Sequence, residues 1–214
     1  MKHLIIMFAA LSLTLGCSEP KGTVGSGVLV TDERKLDRFS FVQFVGGGQV
    51  IIKQSKTNKA LLTWDDNLIT NVSTKVEGPM LIIAPTGRTP SRQGLKAEIH
   101  TSALAGVAID GGATLVTEAF NSTNFLIRIT GAGKISTSGT TEKLEVKIDG
   151  AGNIDTTGLK SKDANVTIMG AGNVRVHSTN QLAAKITGAG TIRYMGNPKK
   201  VLKTVTGAGS VSPL

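Results

Sequence analysis

The chain has 214 residues and a formal net charge of +9, with 26 glycines, one cysteine and only 4% aromatic residues. A single cysteine excludes an intrachain disulfide. With one Trp, one Tyr and no recognised binding module, nucleic acid is a poor partner. The length allows one or two domains, and the scarcity of aromatic residues predicts a core of aliphatic side chains.

The first 16 residues have the pattern of a secretory signal peptide. Lys2 gives a positive start, residues 4–15 form a short apolar run, and Gly16 precedes the only cysteine, Cys17. The run is too short for a stable membrane-spanning helix. The phrase LTLGC resembles the lipobox of bacterial lipoproteins, which implies that Cys17 is acylated and becomes the mature amino terminus. The alternative is an ordinary signal peptide with an incidental cysteine.

Residues 17–27 are rich in Ser, Gly, Pro and charge, and they predict a lipidated tether between the anchor and the folded part. We therefore expect a membrane partner through the lipid and a location in the bacterial cell envelope. Ser18, rather than Asp, after the acylated cysteine favours the outer membrane, if the sorting rule of enterobacterial lipoproteins applies.

Short strand-like segments separated by turn residues follow the tether. No long helical period appears after the signal, and the polar residues 86–94 predict an exposed loop. The predicted strands are 28–30, 39–45, 50–53, 60–63, 75–76, 80–84 and 96–100.

One short phrase then recurs five times between residues 125 and 211, as ITGAGKI, IDGAGNI, IMGAGNV, ITGAGTI and VTGAGSV. Before each phrase, apolar and polar residues alternate, as in Leu144, Glu145 and Val146, which is typical of a half-buried strand. A period this short predicts a β-solenoid whose coils must stack to bury a core. The first glycines are Gly131, Gly150, Gly170, Gly188 and Gly207, with periods of 19, 20, 18 and 19 residues.

The G-A-G phrase allows two conformations. An unbroken strand would point both glycines inward, whereas a corner would use glycine at positive φ and leave the Ala to fill a narrow angle. We favour the corner, because a closed coil needs bends at fixed intervals. Weaker copies at Gly46 and Gly111 extend the prediction to seven coils with three faces each. Gly139, Gly158 and Gly196 suit a second corner.

The order of these segments resembles the bacterial head GIN domain family of putative auto-transporter adhesins. The resemblance rests on ERKLDRFSFVQFVGGGQVIIKQ, LLTWDDNLITNVSTKVEGPMLIIAPTG and LKAEIHTSALAGVAIDGGATL, followed by the repeated G-A-G-x-[IV], and covers about 28–211. It implies a right-handed parallel β-helix-like fold over 28–214 and export to the envelope. The family has no agreed catalytic residues to transfer.

The residues themselves predict no catalytic site, no cofactor and no metal site. His100 and His177 are isolated in alternating strands, and Asp65-Asp66-Asn67 is typical of a plain turn rather than a calcium loop. Asp110 and Asp149 share one column, two coils and so about 10 Å apart. That separation is marginal for an inverting glycosidase, for which about 6.5 to 9.5 Å is needed.

The basic balance points to an anionic partner. Arg128, Lys147 and Lys185 fall in one outward column, and Lys134, Arg175 and Arg193 also point outward. Such a stripe could attract anionic glycans or lipopolysaccharide phosphates. The alternative is that these cations keep the solenoid soluble and discourage sheet association.

Three functional hypotheses follow. The first is a non-enzymatic, envelope-anchored solenoid that acts as an adhesin or binds an anionic polymer. The second is a β-helix enzyme acting on polysaccharide. The third is a structural protein that self-associates through its last coil, because only Val211, Ser212, Pro213 and Leu214 follow the last glycine phrase and cannot cap an open strand edge.

Overall fold

A computed structural model describes residues 22–87 and 89–214; the predicted signal peptide and Cys17 lie outside these residues. Within them the chain is almost entirely β-strand, with no α-helix and one 3-10 turn at Ile69–Asn71, which confirms the all-β prediction. The strands are β1 (Leu29–Lys35), β2 (Phe41–Gly46), β3 (Gly48–Gln54), β4 (Lys59–Asp65), β5 (Val72–Glu77), β6 (Met80–Pro85), β7 (Leu95–Thr101), β8 (Gly106–Gly111), β9 (Thr114–Gly131), β10 (Lys134–Gly150), β11 (Asn153–Gly170), β12 (Asn173–Gly188), β13 (Thr191–Met195), β14 (Lys200–Thr206) and β15 (Ser210–Pro213).

Strands β9 to β12 each form one coil of a solenoid, and each pairs in parallel with the coil before it. The glycine phrases set the register, since Gly150 lies opposite both Gly131 and Gly170. The result is a parallel β-solenoid of about five turns with about 20 residues per turn. We call face A the outward surface of β2, β8, the last eight residues of each of β9–β12, and β14. Face B is the outward surface of β3, the amino-terminal parts of β9–β12, β13 and β15.

The G-A-G phrase is a corner, as favoured from the sequence. β9 ends at Gly131 with φ +113°, Ala132 forms a bend, and β10 begins at Lys134. The prediction for the central alanine was wrong, because Ala132 is exposed and Gly133 faces the interior. A Cβ on Gly133 would lie 2.9 Å from a methyl of Ile109, so the second glycine lets the Ile of a neighbouring coil fill the angle.

The predicted second corner is present at some coils only. Gly139 and Gly196 have positive φ, whereas Gly158 does not. The pairing register also shifts in this part of the coil, between Ser136 and Ser138. Each of β9 to β12 nevertheless continues as one long strand through this position.

The core is a stack of aliphatic side chains from the alternating strands. In β10, Leu144, Val146 and Ile148 are at most 2% exposed, while Lys147 between them faces solvent. Burying each such side chain contributes about 1.5–3 kcal/mol. Because every coil adds a similar set, stability accumulates along the solenoid.

The amino-terminal part is not a series of equal coils, so the prediction of seven was wrong. Gly46 and Gly111 do join the glycine ladder, next to Gly131. Between them the chain leaves the repeat and forms the antiparallel pairs β4 with β7 and β5 with β6, and β4 also pairs antiparallel with the earlier strand β1. These strands bury Phe44, Trp64 and Ile83 and close one end of the core.

A short segment before β1 is bound to this closed end. The side-chain amide of Asn67 donates to the carbonyl of Val24 at 2.8 Å, and the amide of Gly25 donates to Pro90 at 2.9 Å. The amide of Gly27 donates to the carboxylate of Asp65 at 2.6 Å. Residues 24–27, which the sequence assigned to the tether, are thus hydrogen-bonded to the domain.

The opposite end of the solenoid is open along β14 and β15. Within the described residues β14 pairs only with β12, and β15 only with β13. Val205 lies opposite Ile186 yet is 41% exposed, whereas Ile186 is fully buried. Lys203 occupies an inward column, opposite Ala184.

Candidate functional site

The predicted basic stripe lies on face A. Arg128 pairs with Lys147, and Lys147 and Lys185 flank Thr167 on either side, so the three cations share one column. All three cations are exposed. Parallel strands are about 4.8 Å apart, which sets the spacing of this column.

Carboxylates interrupt the positive charge of the stripe. Glu145 accepts from Lys147 at 2.6 Å, and Asp149 follows Lys147 by two residues on the same face. An exposed pair of this kind contributes little to stability. Its larger effect here is to neutralise part of the stripe, whose binding role stays a prediction.

A small cavity of about 180 Å³ opens on face A beside the stripe. Phe41, Met80 and Asp110 line it together with Arg128. The side-chain amide of Gln43 donates to Asp110, which gives this carboxylate a structural partner.

The candidate carboxylate pair is not assembled into a cleft. Thr130 separates Asp110 from Asp149 in the register, so the two lie two strand spacings apart, about 10 Å. Asp149 does not line the cavity at Asp110. An inverting glycosidase would need its carboxyl groups about 6.5 to 9.5 Å apart across a bound sugar.

Face B contains a larger trough, of about 710 Å³, that crosses five neighbouring strands, β9 to β13. Two columns of outward side chains border it. One column contains Thr114, Lys134, Asn153, Asn173 and Thr191, and the other Val116, Ser136, Asp155, Arg175 and Arg193.

The register brings Arg175 and Arg193 directly opposite each other. The sequence indicated that both point outward, but it did not indicate that they are neighbours across two coils. The signal was present in the spacing, since each follows the second glycine of its own phrase by three residues.

An ion network lies where β3 and β7 pair. Glu98 accepts from both Lys53 and His100 at 2.8 Å. The Lys53 hydrogen bond holds the pKa of Glu98 below its usual value, and the same bond raises the pKa of Lys53. His100 is therefore a hydrogen-bonded strand residue. No group of three metal-ligating His, Cys, Asp or Glu side chains occurs in the described part of the chain.

The Asp65-Asp66-Asn67 turn is a plain turn that also fastens the amino-terminal segment. Asp65 is only 2% exposed and accepts from the Ser91 hydroxyl at 2.5 Å and from the Gly27 amide at 2.6 Å. These two hydrogen bonds, the Ser91 bond first, lower the pKa of the Asp65 carboxyl. No local pattern in the sequence indicated that this carboxylate is buried.

The chain belongs to the family described as putative auto-transporter adhesin, head GIN domain, which it matches over residues 38–198. This confirms the resemblance found in the sequence. No curated protein matches the chain. Within residues 22–87 and 89–214, no helix has the length and apolar character needed to cross a membrane.

Three solved structures share the fold. A putative adhesin from Bacteroides fragilis is 19% identical, with a TM-score of 0.75, and the match covers 90% of this chain and 100% of that one. A putative lipid binding protein from Parabacteroides distasonis is 21% identical, with a TM-score of 0.61 and coverage of 90% and 99%. A putative adhesin from Parabacteroides merdae is 24% identical, with a TM-score of 0.58 and coverage of 90% and 98%.

Proposed function

We propose that this protein is a non-enzymatic, adhesin-type binding domain of the bacterial cell envelope that contacts an extended anionic polymer, such as an acidic glycan or lipopolysaccharide. The observation that carries the proposal is the display of cations in straight columns on two open faces of the solenoid. Columns of this kind suit a long ligand that lies along the molecule. The family name and the adhesin descriptions of two structural relatives support the same function.

The charge balance favours an anionic ligand. Lys and Arg number 24 against 15 Asp and Glu, and only Lys2 lies in the predicted signal peptide. A net positive protein attracts anionic polymers over roughly a Debye length, about 8 Å at physiological salt. Binding should therefore weaken as salt is added.

A lipid anchor at Cys17 is part of the same proposal. Acylation of Cys17 would place six residues, 18–23, between the lipid and Val24, which is hydrogen-bonded to the domain. Six extended residues span about 20 Å at most, so the closed end of the solenoid would stay near the membrane. The open end at β14 and β15 would then point away from it. An outer-membrane location is part of this proposal.

The experiment measures retention of residues 18–214, which include the whole described fold, on immobilised polygalacturonate and on a neutral glucan. We expect retention on the polyanion only, with elution by salt. Equal retention on both matrices, or none on either, would contradict the proposal.

The face A stripe is tested by a triple change of Arg128, Lys147 and Lys185 to Ala. Because Glu145 already neutralises Lys147, we expect only a partial loss, to about a half of the wild-type affinity. A charge-matched control changes three exposed lysines away from faces A and B. These are Lys160, Lys162 and Lys199.

Self-association through the open end is a second proposal, favoured by the exposure of Leu202 at 45% and Val205 at 41% on the edge strand β14. An unpaired strand edge is a template for another chain. Lys203 opposes self-association, because it places a charge at this strand edge. Its ammonium donates to the Val211 carbonyl at 3.0 Å and lies 5.6 Å from the ring centre of Tyr194. We therefore expect weak association, visible by light scattering only at high concentration. A strictly monomeric chain at every concentration would exclude it.

A further inference from the structure

The guanidinium groups of Arg175 and Arg193 on face B form a like-charged pair with a single carboxylate, Asp155, beside it. They lie opposite each other on neighbouring parallel strands, about 4.8 Å apart at the backbone. Like charges placed directly opposite on a sheet destabilise it. The arrangement therefore has a cost to the fold that packing does not explain.

The nearby acidic groups do not balance the pair. Asp155 lies 3.9 Å from Arg175, at the limit of an ion pair, and Arg193 forms no ion pair with any residue that the structure describes. On face A, in contrast, Glu145 holds Lys147 at 2.6 Å. Face B thus holds its arginine pair with one distant carboxylate, while on face A the middle cation of the stripe, Lys147, is held closely by Glu145.

The trough supplies hydrogen-bonding partners across from the arginines. Asn173 and Thr191 lie two residues before Arg175 and Arg193 and face the same way. The side-chain amide of Asn173 donates to Asn153 at 3.1 Å, which holds the two amides in a row. A ligand in the trough would meet the guanidinium groups and the Asp155 carboxylate on one wall, and amide, hydroxyl and Lys134 ammonium groups on the other.

We propose that this trough is the principal anion-binding site of the protein, with Arg175 and Arg193 together receiving one acidic group of a polysaccharide. This inference rests on the proposed function and assigns it to a particular face. The planar fork of arginine matches two oxygens of a carboxylate, sulfate or phosphate group. Five strands at about 4.8 Å give a trough about 20 Å long. The arginine pair lies at its β12–β13 end, so the sugar units that follow the acidic group would extend towards β9.

The test compares binding of three polyanions by residues 18–214: polygalacturonate, dextran sulfate and lipopolysaccharide, which differ in the acidic group they carry. The double variant R175A/R193A should bind the preferred polyanion at least about tenfold more weakly, because each charge-assisted contact is worth about a factor of ten or more. The variant R175K/R193K keeps the charge and loses the planar fork. Its affinity should therefore lie between those of the wild type and R175A/R193A.

A control variant, K160A/K162A, removes the same charge from exposed positions outside both faces. It should bind within about twofold of the wild type, since these two lysines do not line the trough. The melting temperature of R175A/R193A should equal or exceed that of the wild type, because removing opposed like charges relieves repulsion. This stability readout separates a ligand role from a structural one.

The possible outcomes distinguish a wrong assignment of the binding site from a wrong proposed function. If the wild type binds a polyanion and R175A/R193A binds it equally well, the site is wrong and the proposed function stands. If R175A/R193A and K160A/K162A lose the same amount, binding depends on net charge alone and the site is again wrong. If the wild type binds none of the three polyanions, both proposals fall.

Discussion

Replacing Gly131 with alanine tests the glycine ladder that organises the solenoid. Gly131 has φ +113°, a conformation that costs a residue with a Cβ about 1–3 kcal/mol. A Cβ would also lie 2.7 Å from the carbonyl oxygen of Gly111 on the neighbouring coil. Relieving that contact requires the backbones to move apart, at a further cost of about 1–3 kcal/mol.

The two costs together predict a destabilisation of about 4 kcal/mol for Gly131→Ala. In a domain of this size that loss lowers the melting temperature by about 8–16 °C, measured by circular dichroism of residues 18–214. Gly112→Ala is the matched control, because Gly112 stands where other coils have Ala and a Cβ there has nothing within 4 Å. The control should be neutral or stabilise by up to about 1 kcal/mol. A Gly131→Ala protein that melts within about 2 °C of the control would refute the reasoning.

Further predictions concern the core, the buried carboxylate and the open end. Ile148→Ala should cost about 2–5 kcal/mol in a denaturant titration, because Ile148 is fully buried, whereas Lys147→Ala should change stability by under about 0.5 kcal/mol. The lowered pKa of Asp65 means that its ionised form stabilises the fold above the unfolded pKa of about 3.9 and that this contribution is lost as the pH falls through the folded pKa. Melting temperatures at pH 7 and pH 3 should therefore differ less in Asp65→Asn than in the wild type, and an equal difference would show that Asp65 has no part in the acid response. Lys203→Val should raise self-association in light scattering, because it leaves an apolar unprotected strand edge, and an unchanged mass distribution would contradict the assigned role of Lys203.

The repeat made much of the fold predictable. The phrase spacing and the period-two alternation around residues such as Val146 are local signals, and they were enough to assign strands, inward columns and the glycine register. The corner at Gly131 was also predictable, because a coil of this length must bend. The position of Ala132 was not, since it depends on Ile109, which comes from another coil.

Features that depend on contacts between distant segments could not be predicted from the sequence. The antiparallel pairs of β4 with β1 and β7 interrupt the repeat, and no local pattern distinguishes an antiparallel from a parallel neighbour. The burial of Asp65 requires Ser91, which lies in a separate loop. The Arg175 and Arg193 pair required the exact register of β12 and β13, although each residue alone was recognised as outward-facing.

The shared register of the coils also has an evolutionary consequence. Because each coil presents the same glycine positions to the coils on both sides, a duplicated coil would fit between two existing ones without disturbing the closed or the open end. Each duplication would lengthen the molecule by about 4.8 Å. Unequal recombination within the gene could therefore alter the reach of the protein in small, structurally silent steps.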